Sequence, residues 1–230
     1  MVESVVSLCK AVLPLENMEL SDGYYYSSLP LCILDAVFSI GVKYTSTENT
    51  VKRYCQFYHL PRLREKTSAY PSKESQHTVN QLILNIEAHG IGHFTEQILN
   101  KRQRTSSKSG ILKSEAVYKW ATILSMNGIE YLQDVQMLNE DIENEIRKIS
   151  GQHSGISLSY FHMLSGNDDL CKPDRHILRF LSEALQRNVI DISEAQKILQ
   201  NATAQLKTSY PGISVRLLDY TIWYYMTTRK

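Results

Sequence analysis

Residues 149–157 read Ile-Ser-Gly-Gln-His-Ser-Gly-Ile-Ser, and residues 172–179 read Lys-Pro-Asp-Arg-His-Ile-Leu-Arg. In the first stretch, a charged segment ends near Lys148 and an apolar segment begins near Gly155, with a glycine-bearing turn between them. We predict two helices joined by a tight hairpin. The first turn of the second helix would expose backbone N–H groups, which together with the helix dipole suit a phosphate.

The second stretch combines a helix start with an acid. Pro173 suits the first turn of a helix and Asp174 suits the helix dipole, so we predict that a helix begins here. Asp174 then has two interpretations, an acid that pairs with the helix dipole and a catalytic carboxylate. The pattern of this stretch leaves both open.

The rest of the chain also predicts helices. Apolar residues recur at helical spacing, strand-like alternation is rare, and we expect an all-α fold of about nine or ten helices. Residues 31–42 are strongly apolar and predict a buried helix. Ser193 followed by Gln196 predicts a capping box at the start of a later helix.

The composition is that of an ordinary globular protein, with 230 residues, 43% hydrophobic and 21% charged. We find no apolar run of eighteen residues and no signal-peptide pattern, so we expect a cytoplasmic protein without a membrane span. The four cysteines lie at least 23 residues apart. This spacing excludes zinc and iron–sulfur sites built from closely spaced cysteines and predicts free thiols.

Charge is unevenly distributed although the net charge is only +1. Six basic residues and one acid lie between Lys101 and Lys119, whereas six acids and no base lie between Gly128 and Glu145. The basic loop at residues 100–110 is either a surface that faces a polyanion or a solvated loop. In the first case its DNA contacts would be Arg102, Arg104 and Lys108.

The two quoted stretches together resemble the helix-hairpin-helix DNA glycosylase superfamily, the group of endonuclease III and the 3-methyladenine glycosylases. That family carries a hairpin Leu-Pro-Gly-x-Gly and, further on, Val-Asp-x-His-Val-x-Arg. Gly151 matches the first hairpin glycine. The second motif is matched in type and spacing by Asp174, His176, Ile177 and Arg179.

The resemblance spans roughly residues 28–190 and implies a two-lobed helical glycosylase fold. Residues 1–230 would form a single compact unit with lobes at about 28–110 and 111–190, and the terminal helices would pack back onto them. The helix-hairpin-helix would span about 140–165.

The resemblance also implies roles for the matched residues. Asp174 would be the catalytic aspartate, which stabilises an oxocarbenium-like sugar and positions or deprotonates the attacking water. The target base must first leave the duplex, and the hairpin would hold the phosphates beside it. The implied DNA contacts are Gly151, Gln152, His153, Ser154, Gly155, His176 and Arg179.

Departures from the family pattern refine this expectation. Gly155 stands where bifunctional members carry a lysine, and glycine cannot form a Schiff base, so the resemblance implies a monofunctional enzyme. Ser150 and His153 replace the usual proline and second glycine and make the hairpin divergent. We expect no metal and no organic cofactor, and a monovalent cation at the hairpin stays open.

The base pocket would draw on the helix near the chain start, at about 31–44, and on its flanking loops. Aromatic faces stack on flipped bases. The alternative is that the tyrosines of the run at residues 24–26 pack a domain seam. The candidate pocket residues are Tyr24, Tyr25, Tyr26, Lys43 and Tyr44.

We therefore expect a monomeric, monofunctional DNA glycosylase that acts on double-stranded DNA in repair or in defence against phage DNA. An alkylated purine, a deaminated or mismatched pyrimidine and a hypermodified phage base all remain open as substrates. Two other classes stay as alternatives. One is a non-catalytic helix-hairpin-helix DNA-binding module, and the other is a helical interaction protein without a nucleic acid partner.

Overall fold

The computed structural model describes residues 1–67, 69–107 and 109–229. Within these residues the chain forms ten α-helices and, apart from two isolated bridges, no β-structure, so the prediction of an all-α fold is confirmed. The helices are α1 (Val2–Val12), α2 (Leu29–Phe38), α3 (Tyr44–Phe57), α4 (Val79–His93), α5 (Lys113–Met126), α6 (Glu140–Lys148), α7 (Ile156–Leu164), α8 (Arg175–Leu185), α9 (Ile192–Leu206) and α10 (Val215–Thr228).

The chain divides into two compact units. We call Met1–Ser21 with Gly166–Lys230 the terminal unit, and Asp22–Ser165 the middle unit. The terminal unit contains α1 and α8 to α10, and the middle unit contains α2 to α7. The glycosylase lobes at about 28–110 and 111–190 stay a prediction.

The middle unit is built around α2. All ten residues of this helix are buried, and it packs against α3, α5 and α7. A helix that is apolar on every side belongs in a core, and Pro30 suits its first turn. The predicted buried helix is confirmed, but it ends at Phe38. There the buried Lys113 ammonium donates to the carbonyls of Phe38 at 2.9 Å and Ile40 at 2.7 Å. A cation is favourable at a helix C-terminus, because it interacts with the negative end of the helix dipole and with the last carbonyls.

In the terminal unit, α1 and α10 both pack against α8 and α9. Helical spacing places Ile177, Phe180 and Leu181 on the buried face of α8. The capping box predicted at Ser193 is wrong. Asp191 caps α9 instead, because its side chain accepts the Glu194 N–H at 2.6 Å.

All four cysteines are buried free thiols. Burial raises the pKa of Cys9 to about 12 and that of Cys55 to about 11, so these thiols stay protonated and unreactive at neutral pH. Across the described ranges, no helix has the length and apolar character needed to cross a membrane.

Candidate functional site

The turn between α6 and α7 is shaped by its glycines. As predicted, one helix ends at Lys148 and the next begins just after Gly155. Gly151 has φ +86° and Gly155 has φ +74°, a left-handed conformation that costs other residues energy and glycine almost none. Gly155 is also the N-cap of α7, so the positive end of that helix dipole lies at the turn.

The side chains of this turn differ in exposure. Gln152 is 2% exposed, and its side-chain oxygen accepts a hydrogen bond from the Ser157 hydroxyl. This bond ties the turn to α7 and occupies the Gln152 side chain in the interior. His153 and Ser154 are exposed, so they are the turn side chains that a ligand in solution meets first.

The basic loop lies against this turn within the middle unit. A Cβ added to Gly151 would collide with the side chain of Thr105, so loop and turn are in direct contact. Arg102 is exposed and pairs with Glu96 at 2.8 Å, and the exposed Arg104 donates to the Gly110 carbonyl at 2.7 Å. The structure therefore places Thr105 of the basic loop against Gly151 of the turn, and Arg102 and Arg104 are on that same loop. Lys108 lies outside the described residues.

Arg147 occupies the space beside Gly155. A Cβ at position 155 would collide with the Arg147 guanidinium, which also lies 3.4 Å from Glu143. His162 contacts the same glutamate at 2.8 Å and, together with Arg147, holds the pKa of Glu143 below its usual range. A guanidinium stays protonated at all ordinary pH values, so this cation is not a nucleophile.

Asp174, in the terminal unit, is the N-cap of α8. Its Oδ1 accepts the His176 N–H at 2.8 Å and the Ile177 N–H at 3.4 Å. Within the described part of the chain, Oδ2 accepts no hydrogen bond, and the side chain is half-buried. The predicted helix start is confirmed. The cap fixes the carboxylate through Oδ1, and no described residue donates to Oδ2, so capping and catalysis are compatible roles.

The other predicted residues of this helix differ in their surroundings. His176 is half-buried, and burial lowers the pKa of its imidazole, which accepts a 3.3 Å hydrogen bond from Arg175 Nε. Arg179 is exposed and pairs with Glu183 at 3.1 Å. Surface pairs of this kind contribute little to stability, so Arg179 can exchange Glu183 for another anion at small cost.

Side chains that the sequence interpretation missed hold the loop before Asp174, residues 166–174. Arg216 pairs with Asp168 at 2.9 Å, and Gln196 accepts the Cys171 N–H at 2.9 Å. Gln196 and Gln200 both donate to the Asp169 carbonyl, and Asp219 accepts the Lys172 N–H at 2.8 Å. The signal for Asp219 was available, because it is an acid on the apolar face of α10. The anchors on α9 and α10 are Gln196, Gln200, Arg216 and Asp219.

The candidate base-pocket residues are mostly interior. Tyr24 is 7% exposed, and Tyr26 is fully buried with its hydroxyl donated to Asp35 Oδ2 at 2.7 Å. Burial first, and Asp35 second, raise the pKa of Tyr26 well above its usual range. These two side chains are therefore packed in the interior and are not open to solvent. Asp35 was missed, although a lone acid in an apolar stretch could have identified it.

The remaining three candidates are more accessible. Tyr25 is half-buried, with the Arg64 guanidinium 5.3 Å from its ring centroid. Lys43 is exposed and is the N-cap residue of α3, and Tyr44 is half-buried and hydrogen-bonded to Tyr26. Stacking on a flipped base is open to Tyr25 and Tyr44 with less rearrangement than to the buried pair.

In the ranges that the structure describes, no three His, Cys, Asp or Glu side chains are grouped to hold a metal ion. No match was found among curated proteins or among solved structures. A family model described as a domain of unknown function (DUF8548) matches residues 3–227, and the chain therefore belongs to that family.

Proposed function

We propose that the protein is a monofunctional DNA glycosylase that hydrolyses the N-glycosidic bond of a flipped base and leaves an abasic site. The observation that carries the proposal is the state of Asp174. Its carboxylate is fixed by the α8 backbone through Oδ1, while Oδ2 is unengaged within the described residues. A fixed carboxylate of this kind stabilises an oxocarbenium-like sugar and orients the attacking water without reorganising during the reaction.

The turn at residues 149–155 supports a DNA-binding role. The N-terminus of α7 offers backbone N–H groups and a positive dipole end to a phosphate, and the turn has exposed polar side chains at His153 and Ser154. Arg102 and Arg104 lie on the loop that touches Gly151. Together they form a surface that holds the backbone beside a flipped nucleotide, which fixes register without reading sequence.

The absence of a side chain at Gly155 supports hydrolysis without lyase chemistry. The Arg147 guanidinium fills the direction in which a lysine at position 155 would leave the backbone. Because neither glycine nor a guanidinium forms a Schiff base, position 155 supplies no amine nucleophile, and we assign the attack to water. Treatment with borohydride during turnover is therefore expected to trap no protein–DNA adduct, and a trapped adduct would contradict the monofunctional assignment.

A base-release assay tests the proposal. Purified protein is incubated with duplexes that carry alkylated purines, deaminated or mismatched pyrimidines, and with phage DNA that contains hypermodified bases. Freed bases are identified by mass spectrometry, and abasic sites by alkaline cleavage. Asp174→Asn is the inactive variant. Asp191→Asn is its matched control, because Asp191 is also an N-cap aspartate of the terminal unit.

Release by the wild type and by Asp191→Asn, but not by Asp174→Asn, is the expected result. Salt-sensitive duplex binding without release of any base would favour the non-catalytic DNA-binding module instead. Absence of both release and binding would favour the helical interaction protein.

A further inference from the structure

The loop that leads to Asp174 takes its position from helices that come later in the chain. Four of its residues form a hydrogen bond or an ion pair with a side chain of α9 or α10. They are Asp168, Asp169, Cys171 and Lys172. A loop fastened at four points within five residues is held rigidly, and rigid support is what a catalytic carboxylate requires.

Asp219 holds the part of this loop closest to Asp174. Its side chain is on α10, 3% exposed, and its Oδ1 accepts the N–H of Lys172 at 2.8 Å. Lys172 precedes Asp174 by two residues, and Pro173 between them has a restricted φ. A displacement of the Lys172 backbone therefore passes directly to the Asp174 carboxylate.

Burying a charged carboxylate to accept one backbone N–H costs free energy, because the carboxylate loses its hydration. Burial, and secondly the neighbouring Asp174 carboxylate, raise the pKa of Asp219 well above its usual range, while Lys172 opposes the shift. The buried Cys171 thiol is a further titratable group near Asp219. A protonated Asp219 still accepts the Lys172 N–H with its carbonyl oxygen, and it adds no second negative charge beside Asp174.

We propose that Asp219 is a positioning residue for Asp174, which fixes the direction of the Asp174 carboxylate by accepting the Lys172 N–H. This inference rests on the proposed function and adds a residue from the last helix to the same site. Asp219 itself does not contact the substrate in this arrangement. Its loss is therefore expected to change the rate of base release rather than DNA affinity.

Three variants test the inference in single-turnover base release, duplex binding and hydrogen exchange of the Lys172 amide. Asp219→Ala is expected to lower kcat at least about tenfold, to leave Kd within about twofold and to speed the exchange of Lys172. Asp219→Asn is expected to restore most of both properties, because its amide oxygen accepts the same N–H. Thr221→Ala, a buried hydroxyl deletion on α10, is expected to change neither. If Asp219→Ala does not fold, Asp219→Ser takes its place with the same expectation.

The possible failures are distinguishable. If the wild type releases a base and Asp219→Ala keeps wild-type kcat, the inference is overturned while the proposed function stands. Equal losses in the Ala and Asn variants would also overturn it, because asparagine keeps an oxygen that accepts the Lys172 N–H, and the loss would then come from the missing carboxyl group and not from that hydrogen bond. If the wild type releases no base from any duplex, the proposed function fails and the inference fails with it.

Discussion

The turn at residues 149–155 in the middle unit and the loop at residues 166–174 in the terminal unit are stabilised in opposite ways. The turn depends on its own backbone, because Gly151 and Gly155 adopt positive φ and their missing side chains make room for Thr105 and Arg147. The loop depends on side chains from α9 and α10. A turn of this kind is sensitive to a change within it, whereas the loop is sensitive to changes far away in the sequence.

Replacing Asp174 should separate the rate of base release from the affinity for duplex DNA. Asp174→Asn is expected to lower base release by about a thousandfold or more, the scale seen when a group that stabilises transition-state charge is removed. Asparagine is an equally good N-cap, so α8 and duplex affinity are expected to be retained. Single-turnover kinetics and a binding titration measure the two quantities. A parallel loss in the Asp191→Asn control would show that the effect is not specific to the carboxylate at position 174.

Gly151→Ala tests whether the turn depends on the glycine backbone and on the contact with Thr105. Alanine at positive φ costs about 1–2 kcal/mol, and its Cβ would also displace Thr105 and with it the basic loop. We expect the melting temperature to fall by about 2–4 °C for each kcal/mol of destabilisation, and duplex affinity to fall as well. Gly41→Ala is the matched control, because Gly41 has φ +72° and open space around it. Equal losses of affinity in the two variants would contradict a role for the contact with Thr105.

A smaller effect is expected for the basic loop. Replacement of Arg102 and Arg104 by alanine should weaken binding across all duplex sequences and reduce the slope of log K against log salt by about 0.9 for each phosphate that the variant no longer neutralises. Arg102 gives up only an exposed pair with Glu96 on binding, which costs little. Lys207→Ala, at the exposed end of α9, is the control for the loss of a positive charge. An unchanged slope in the arginine variant would remove this loop from the DNA surface.

The weakest of these effects concerns stability against pH. One buried group in each unit contributes to it, and the two contributions change with pH in opposite directions. Burial lowers the pKa of His77 in the middle unit to about 4, so its contribution to stability is lost as pH falls from 6.5 towards 4, where only the unfolded chain binds the proton. The pKa of Asp219 in the terminal unit is raised, so stability is lost as pH rises above 3.8, where the unfolded chain releases a proton that the folded chain keeps.

Urea denaturation of the wild type, His77→Gln and Asp219→Asn from acidic to neutral pH measures what each buried group contributes to the free energy of unfolding. His77→Gln is expected to reduce the loss of stability that accompanies the fall in pH from 6.5 towards 4. Asp219→Asn is expected to stabilise the protein at neutral pH. Wild-type pH dependence in both variants would contradict the assignment of the two buried groups.

Much of the secondary structure was predictable because it depends on local spacing. Apolar residues at helical intervals identified the all-α fold, and the glycines at positions 151 and 155 marked the turn. Asp174 could be placed at a helix start from Pro173 and the charge of the dipole. The capping box at Ser193 was wrong because Asp191, two residues earlier, competes for the same backbone donors, and local patterns do not rank such competitors.

The candidate site was predictable only where its residues are neighbours in sequence. Asp219 was missed, and Gln196 was assigned to a capping box, because their partners, Lys172 and Cys171, lie 47 and 25 residues away. The burial of Tyr26 against Asp35 was likewise not visible in the aromatic run at residues 24–26. Periodicity indicates which face of a helix is apolar, but it does not indicate which loop that face will meet.

Local sequence is enough to specify the helices, the turn glycines and the capping position of Asp174, because these follow from backbone sterics and hydrogen bonds within a few residues. Local sequence does not specify that side chains of α9 and α10 hold the loop before Asp174, or that Thr105 packs on Gly151. Those contacts depend on how separate helices pack. Many near-equal apolar surfaces compete in that packing, and buried polar groups select the arrangement that pairs them.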